Sequence, residues 1–229
     1  MENSPPEPSL DLQRVTRADI DAMGKRERVK FVNSLPGFKS LALVGTQDRD
    51  GNPNLAIVST VLHLGSDTPL LGMISRPAKV ARHTLENIRE TGIYTLNHVH
   101  ASFFEAAHQT SARYPREVSE FAATGLTEHR EPGIDAPFVA ESRLRIALRL
   151  REELEVQCNG VLMLVGEVTQ VFYPPEIREA DGFLDLSGAG SLAGGGLDGY
   201  YHPQRIDRLS YAKPGREIRR LQPGVGEPS

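Results

Sequence analysis

Apolar positions along this chain come in short runs separated by polar turns, with few long helical stripes. The first ordered piece is an exception. Ile20, Met23, Val29, Phe31 and Val32 recur at helical spacing, predicting a helix from about Arg17 to Leu35, ended by Pro36-Gly37. SLALVGT at 40–46 then has β character, and DRDGNPN at 48–54 concentrates Asp, Gly, Asn and Pro at turn density. LAIVSTVL follows at 55–62, so two apolar runs flank an Asp-Gly turn and predict a β-hairpin. LLGMI at 70–74 predicts a third strand. Thr84–Thr91 is expected to be a short helix, with Thr84 as N-cap and Gly92 just past its end. IYTLN at 93–97 resumes strand character, followed by helical stretches at about 101–112 and 116–122. Strands are expected again at 143–149, 152–157, 160–166 and 167–173. Many strands with a few short helices on the rim predict a mainly β fold, an antiparallel Greek-key-like barrel with short flanking helices.

Composition narrows the class. The 229 residues include 26 basic and 30 acidic side chains, a formal net charge of −4, which argues against general nucleic-acid binding. One cysteine, Cys158, excludes an internal disulfide framework and an all-cysteine metal site. The opening MENSPPEPSL has neither a basic n-region nor an apolar core, so no signal peptide is expected there. No apolar run reaches the roughly 18 residues of a membrane span; GVLMLVG at 160–166 is strand-sized. A cytoplasmic protein is expected, with one domain over 11–221 between disordered tails at 1–10 and 222–229.

Candidate chemistry concentrates in Ser75-Arg76-Pro77-Ala78-Lys79-Val80-Ala81-Arg82-His83-Thr84, which leads into a helix. Cations at a helix N-terminus oppose the helix dipole unless an anion sits there. Backbone N–H groups, two hydroxyls and basic side chains at one helix start make a phosphate seat. The alternative is an ordinary solvated basic turn. Asn54-Leu55-Ala56-Ile57-Val58-Ser59-Thr60-Val61 adds small hydroxyls on the strand after the hairpin turn. Together the two segments could hold a phosphorylated planar cofactor, ring on the strand and phosphate at the helix start. An ordinary barrel strand explains the second segment equally well on its chemistry alone.

SLALVGTQDRDGNPNLAIVSTVL, TPLLGMISRP, HTLENIRETGIYTLN and TSARYPREVSEFAATGLTEHREPGIDAPFVAES resemble, in order and spacing, the flavin reductase-like, FMN-binding split-barrel family over roughly 38–173. The resemblance implies a homodimer of split β-barrels with FMN in a groove at the subunit interface. It places Asn54, Ser59, Thr60 and Val61 along the isoalloxazine, and Ser75, Arg76, Lys79 and Thr84 at the ribityl chain and phosphate. The block with Ser111, Tyr114, Glu120 and Phe121 resembles the interface segment covering the flavin. Relatives often end the barrel with Gly-Gly-x-x-Tyr; here Gly195-Gly196-Leu197-Asp198-Gly199-Tyr200-Tyr201 leaves Tyr200 and Tyr201 as alternatives for that tyrosine. The implied activity is hydride transfer from NAD(P)H to flavin, with electrons passing on to a second acceptor such as a partner oxygenase. Two other readings are an FMN enzyme with its own small-molecule substrate and a non-catalytic module that binds or senses FMN. Hydride chemistry belongs to the flavin, so no classical triad is expected and the chain offers none. No G-x-G-x-x-G fingerprint is present, so nicotinamide use rests on the resemblance.

Other residues have plainer expectations. SGAGSLAGGGLDG at 187–199 is read as a mobile surface loop, in preference to a flap over a ligand. His98, His100 and His108 could be metal ligands, but solvated or interface histidines are favoured. Cys158 is expected to be a buried, inert thiol rather than a nucleophile. Glu152-Glu153 and the run Arg143–Arg151 are read as alternating faces of a strand, one of them solvated. The N-terminal helix is read as a packing helix rather than a membrane-surface element.

Overall fold

The computed structural model describes residues 11–76 and 82–221. Two helices come first, α1 (Arg17–Ala22) and α2 (Lys25–Ser34), followed by β1 (Lys39–Ser40), β2 (Ala42–Gln47), β3 (Pro53–Val58), β4 (Val61–Ser66) and β5 (Pro69–Ser75). Next are α3 (His83–Thr91), β6 (Ile93–His98), α4 (Phe104–Gln109), α5 (Glu120–Thr124), and the short strands β7 (Glu128–His129) and β8 (Phe138–Val139). The long hairpin β9 (Arg145–Val156) and β10 (Val161–Phe172) precedes a terminal pair, β11 (Ala193–Gly195) and β12 (Gly199–Tyr201).

Seven strands form one antiparallel sheet in the order β3-β2-β6-β9-β10-β5-β4. Its two outermost strands, β3 and β4, are consecutive in the chain and joined only by Ser59-Thr60. Two residues span at most about 7 Å, so the sheet must curl until its edges nearly meet. The result is a barrel split along one seam. Ala42 and Val44 share its lumen with Met73, Tyr94, Leu96, Leu148 and Leu164, and Leu85 and Ile88 of α3 join that cluster. The opposite face of β2, with Leu41 and Leu43, packs with Leu55 under Phe103, Ala107 and Phe121 from α4, α5 and their flanks. Both faces of β2 are therefore buried, which explains its unbroken apolar run.

The predicted hairpin at 40–62 forms, with Thr46 opposite Asn54 across the turn and Gly51 at φ 84°, a backbone conformation open to glycine. The run at 55–62 is not one strand, however. It breaks at Ser59-Thr60 because barrel closure puts its two halves on opposite sheet edges. The N-terminal helix is likewise two. Thr16 and Asp19 form a capping box on α1, Met23 turns extended (φ −60°, ψ 142°), and Gly24 restarts the chain as the N-cap of α2. Neither helix buries a residue fully; Ile20, Met23 and Phe31 are half-buried, and Lys30 of α2 pairs with Asp198 in the β11–β12 turn. The four late strands are two long ones. Glu152 pairs with Val165 and Leu150 with Gly166, so Arg151 bulges out and shifts the alternation by one residue.

Two further expectations are corrected. The glycine-rich stretch is no mobile loop: Ala189 to Leu192 are buried, and β11 pairs with both β1 and β12. Its glycines permit close approach; a Cβ on Gly194 would lie 3.0 Å from the Leu41 side chain. Cys158 is exposed, not buried, because it sits in the turn between β9 and β10. The disorder read for residues 1–10 and 222–229, and the role read for Lys79, fall outside the described residues. No described helix is long and apolar enough to cross a membrane.

Candidate functional site

The barrel seam gathers several of the sequence-predicted residues. Thr60 Oγ1 donates to the Ile74 carbonyl at 3.1 Å, and the Ile74 N–H donates back to the Thr60 carbonyl at 3.3 Å. Val61 begins β4 opposite Met73, so Ser59, Thr60 and Val61 lie beside the end of β5 at Ser75 and Arg76. Arg76 is exposed. The Val61 carbonyl accepts the Ser40 hydroxyl at 2.8 Å, which ties β1 to the same place.

Asn54 and Thr84 form a second cluster at the other end of β3. The Asn54 amide, buried, donates to Thr84 Oγ1 at 2.9 Å and to Thr46 Oγ1 at 3.2 Å. Asn87, one turn along α3, donates to the same Thr46 hydroxyl at 3.2 Å. The guanidinium of Arg116 reaches Asn87 Oδ1 at 3.3 Å and pairs with Glu86. A small polar pocket lined by Asp48, Asn52, His83 and Arg116 opens beside this network. Four apolar residues, Leu55 to Val58, separate Asn54 from Ser59, a rise of about 16 Å at 3.3 Å per residue, so the two polar clusters lie at opposite ends of β3.

The helix start differs in detail from its sequence reading. Thr84 is not the N-cap; the helix begins at His83 with Arg82 as cap, because the Thr84 hydroxyl accepts the Asn54 amide. No side chain caps the helix. The Arg82 backbone N–H donates to the Glu86 carboxylate at 3.1 Å. Burial pushes the Glu86 carboxyl up, but that N–H, Arg116 and His83 together hold it below the ordinary range. Arg82 Nε is buried with no hydrogen-bond partner among the described residues, and so is Ser119 Oγ. A buried guanidinium nitrogen left without an acceptor is costly unless an anion reaches it. These features suit the phosphate end of a nucleotide-like ligand.

Glu120 and Thr110 work on the exposed edge of β3. The Leu55 N–H donates to the buried Glu120 carboxylate at 3.0 Å, and the Ile57 N–H to Thr110 Oγ1 at 2.9 Å. This segment therefore covers the strand next to the seam. Phe121 is buried in the cluster beneath it. Ser111 and Tyr114 are not joined to the other candidates: Ser111 is exposed, and the Tyr114 hydroxyl accepts the Gln109 amide at 3.0 Å. The two alternative tyrosines differ in their contacts. Tyr200 faces α4, with its hydroxyl 2.8 Å from His108 Nδ1 and its ring 5.3 Å from Phe104, whereas Tyr201 packs on Phe38.

Each of the three histidines considered as ligands is bonded to a hydroxyl: His98 to Ser191, His100 to Ser102, His108 to Tyr200. Among the described residues no group of three His, Cys, Asp or Glu is placed to hold a metal. Arg82 belongs to the basic segment read from the sequence, whereas Asn87 and Arg116 were missed by sequence reasoning. A polar Asn87 one turn after Thr84 in the helix was the available signal; Arg116 gave none, since its partners lie about thirty residues away.

One sequence family and three solved structures resemble this chain. The sequence model of the family described as flavin reductase like domain matches residues 39–192. A crystal structure from Shewanella frigidimarina, assigned provisionally as a flavin reductase with a split barrel domain, is 48% identical, with a TM-score of 0.84 over 87% of this chain and 100% of that one. Nitrilotriacetate monooxygenase component B from Bacillus cereus shares the fold at 19% identity, with a TM-score of 0.75 over 86% of this chain and 98% of that one. Flavoredoxin of Desulfovibrio vulgaris shares it at 24% identity and a TM-score of 0.64, covering 78% and 92% of the two chains.

Proposed function

Because the chain belongs to the flavin reductase like domain family, with the split-barrel fold and an oxidoreductase character, we propose that it binds FMN and reduces it with NADH or NADPH. One observation carries the choice of a phosphorylated flavin: Arg82 Nε, buried and without a hydrogen-bond partner among the described residues, stands at a helix start that no side chain caps, about 16 Å of strand from the seam. In this reading Thr84, Ser75, Arg76, Lys79 and Arg82 hold the phosphate and ribityl chain. Asn54 fixes Thr84, and Ser59, Thr60 and Val61 present small hydroxyls and backbone to the ring. The bound flavin supplies the hydride chemistry, taking two electrons from a nicotinamide and giving them up to an acceptor. The chain orients it, neutralises its phosphate charge, and keeps the β3 edge closed to water through Glu120 and Thr110.

The active form is a homodimer with the flavin at the interface, to which the covering segment with exposed Ser111 and half-buried Tyr114 contributes. Likeness to a monooxygenase component supports delivery of reduced flavin to a partner oxygenase. The test compares FMN with riboflavin, which lacks the phosphate. Arg82→Ala is expected to weaken FMN binding about 10- to 100-fold, the worth of a charge-assisted hydrogen bond, and to leave riboflavin unchanged. Equal losses for both ligands, or none, would remove the phosphate assignment. Bleaching of the bound flavin by NAD(P)H tests the activity itself.

A further inference from the structure

The family match ends at Leu192, and beyond β12 the chain runs into a segment whose side chains are mostly exposed. Residues 208–221 form a small hairpin: Leu209 bridges Arg220, the Ser210 N–H donates to the Arg219 carbonyl at 2.8 Å, and the Leu221 N–H to Arg208 at 2.9 Å. The turn is Lys213-Pro214-Gly215-Arg216, with Gly215 at φ 73°. A lone two-stranded hairpin is marginal in water. This one also leaves its apolar side chains outside, with Leu209 57%, Ile218 59% and nearby Ile206 100% exposed. Its base, by contrast, is firmly held. Arg205 and Arg208 pair with Glu179, Asp181 and Asp185, and Arg208 stacks over the Phe183 ring at 4.2 Å. The arm is thus aimed by its base and leaves Leu209 and Ile218 in solvent.

Charge indicates what it meets. Residues 202–221 carry six basic and two acidic side chains; Arg205, Arg208 and Arg220 pair within the chain, and the other three cations are Lys213, Arg216 and Arg219, while the whole chain carries −4. A matching acidic and apolar surface exists on the distal half of β9. β6 pairs with β9 only through Arg149, so beyond Leu150 that edge of β9 has no strand beside it among the described residues. It presents Glu152 and Glu155 with half-exposed Leu154 and Val156. An open edge with apolar side chains is a pairing site that a folded protein must cover. We propose that the C-terminal arm of one copy crosses to a second copy and lies along the open β9 edge at 151–156. Arg216 and Arg219 then meet the acidic pair, and Ile206, Leu209 and Ile218 cover Leu154 and Val156. This rests on the dimer of the preceding reading and names the element that clasps it.

A charge swap in the full chain tests the clasp. Dimer dissociation is measured by sedimentation equilibrium for wild type, for Glu152→Arg with Glu155→Arg, for Arg216→Glu with Arg219→Glu, and for all four together. Each pair alone is expected to weaken the dimer at least about 10-fold, and the four together to restore it to within about 3-fold, as complementary charges across an interface do. Rescue cannot arise from misfolding, since the four-fold variant carries every substitution. A wild-type dimer indifferent to both pairs, or weakened without rescue, overturns the clasp and leaves the dimer standing. A monomeric wild type removes both. An arm that instead binds anionic phosphatidylserine vesicles, with no rescue, assigns it to a lipid surface and also overturns the proposal.

Discussion

Acidification from pH 7.5 to 4.5 is expected to remove up to about 2.5 kcal/mol of folding stability through His98 alone. His98 ends β6, where its Nδ1 lies 3.0 Å from the Ser191 hydroxyl at the entry to the β11–β12 hairpin. Burial pushes its imidazole down from 6.5 to about 4, since no carboxylate there offsets the lost hydration of a cation. In the unfolded chain the ring takes a proton near pH 6.5, whereas the folded protein resists until about pH 4. The unfolded state therefore binds more protons throughout that window. Stability is complete above pH 6.5 and falls as the pH drops towards 4, by at most about 1.4 kcal/mol per unit.

Urea unfolding at half-unit steps of pH, for wild type and His98→Asn, isolates this contribution. Carboxylates titrate below pH 5 in both proteins and cancel in the difference. The wild-type curve is expected to fall more steeply between pH 6.5 and 4.5, while the variant, weaker at pH 7.5, stays comparatively flat. Parallel curves would refute the argument, as would a folded-state titration of the His98 ring near pH 6.5.

Two substitutions probe the barrel itself. Tyr94 is fully buried, its hydroxyl has no partner among the described residues, and a Cβ on Gly166 would sit 2.0 Å from that oxygen. Tyr94→Phe is expected to stabilise by about 1 kcal/mol, raising the melting temperature by roughly 2–4 °C; a lower melting temperature would show that the hydroxyl is bonded. Glu120→Ala leaves the buried Leu55 N–H bare and is expected to cost about 1–3 kcal/mol in urea, with Glu120→Gln recovering most of it through its amide oxygen. Equal losses in the two variants would detach Glu120 from the strand edge.

Local features were legible where they depend on neighbours in sequence: the Asp50-Gly51 turn, the β2–β3 hairpin, and α3 ending at Gly92. The seam was not, and the reason is physical. Ile57-Val58-Ser59-Thr60-Val61-Leu62 is one apolar-rich run, and hydrophobicity is the same whether its halves continue one strand or lie on opposite edges of a closed sheet. Only the pairing of β3 with β2 and of β4 with β5, set by residues tens of positions away, makes Ser59-Thr60 a crossing point. The glycine-rich stretch failed for a related reason. Glycine loosens a chain in isolation, but against Leu41 the missing Cβ lets a buried strand approach. The candidate site divides the same way. Ser75, Arg76 and Thr84 stand out locally as hydroxyls and charge around a helix start, whereas Arg116 reaches Asn87 and Glu86 only because the covering segment folds back along β3. That fold-back is held by Glu120 and Thr110, each spending its side chain on a backbone N–H of the edge strand. A strand edge capped in this way cannot recruit another strand, whereas the open stretch of β9 can. The asymmetry gives the chain one protected edge beside the candidate site and one with no strand beside it among the described residues.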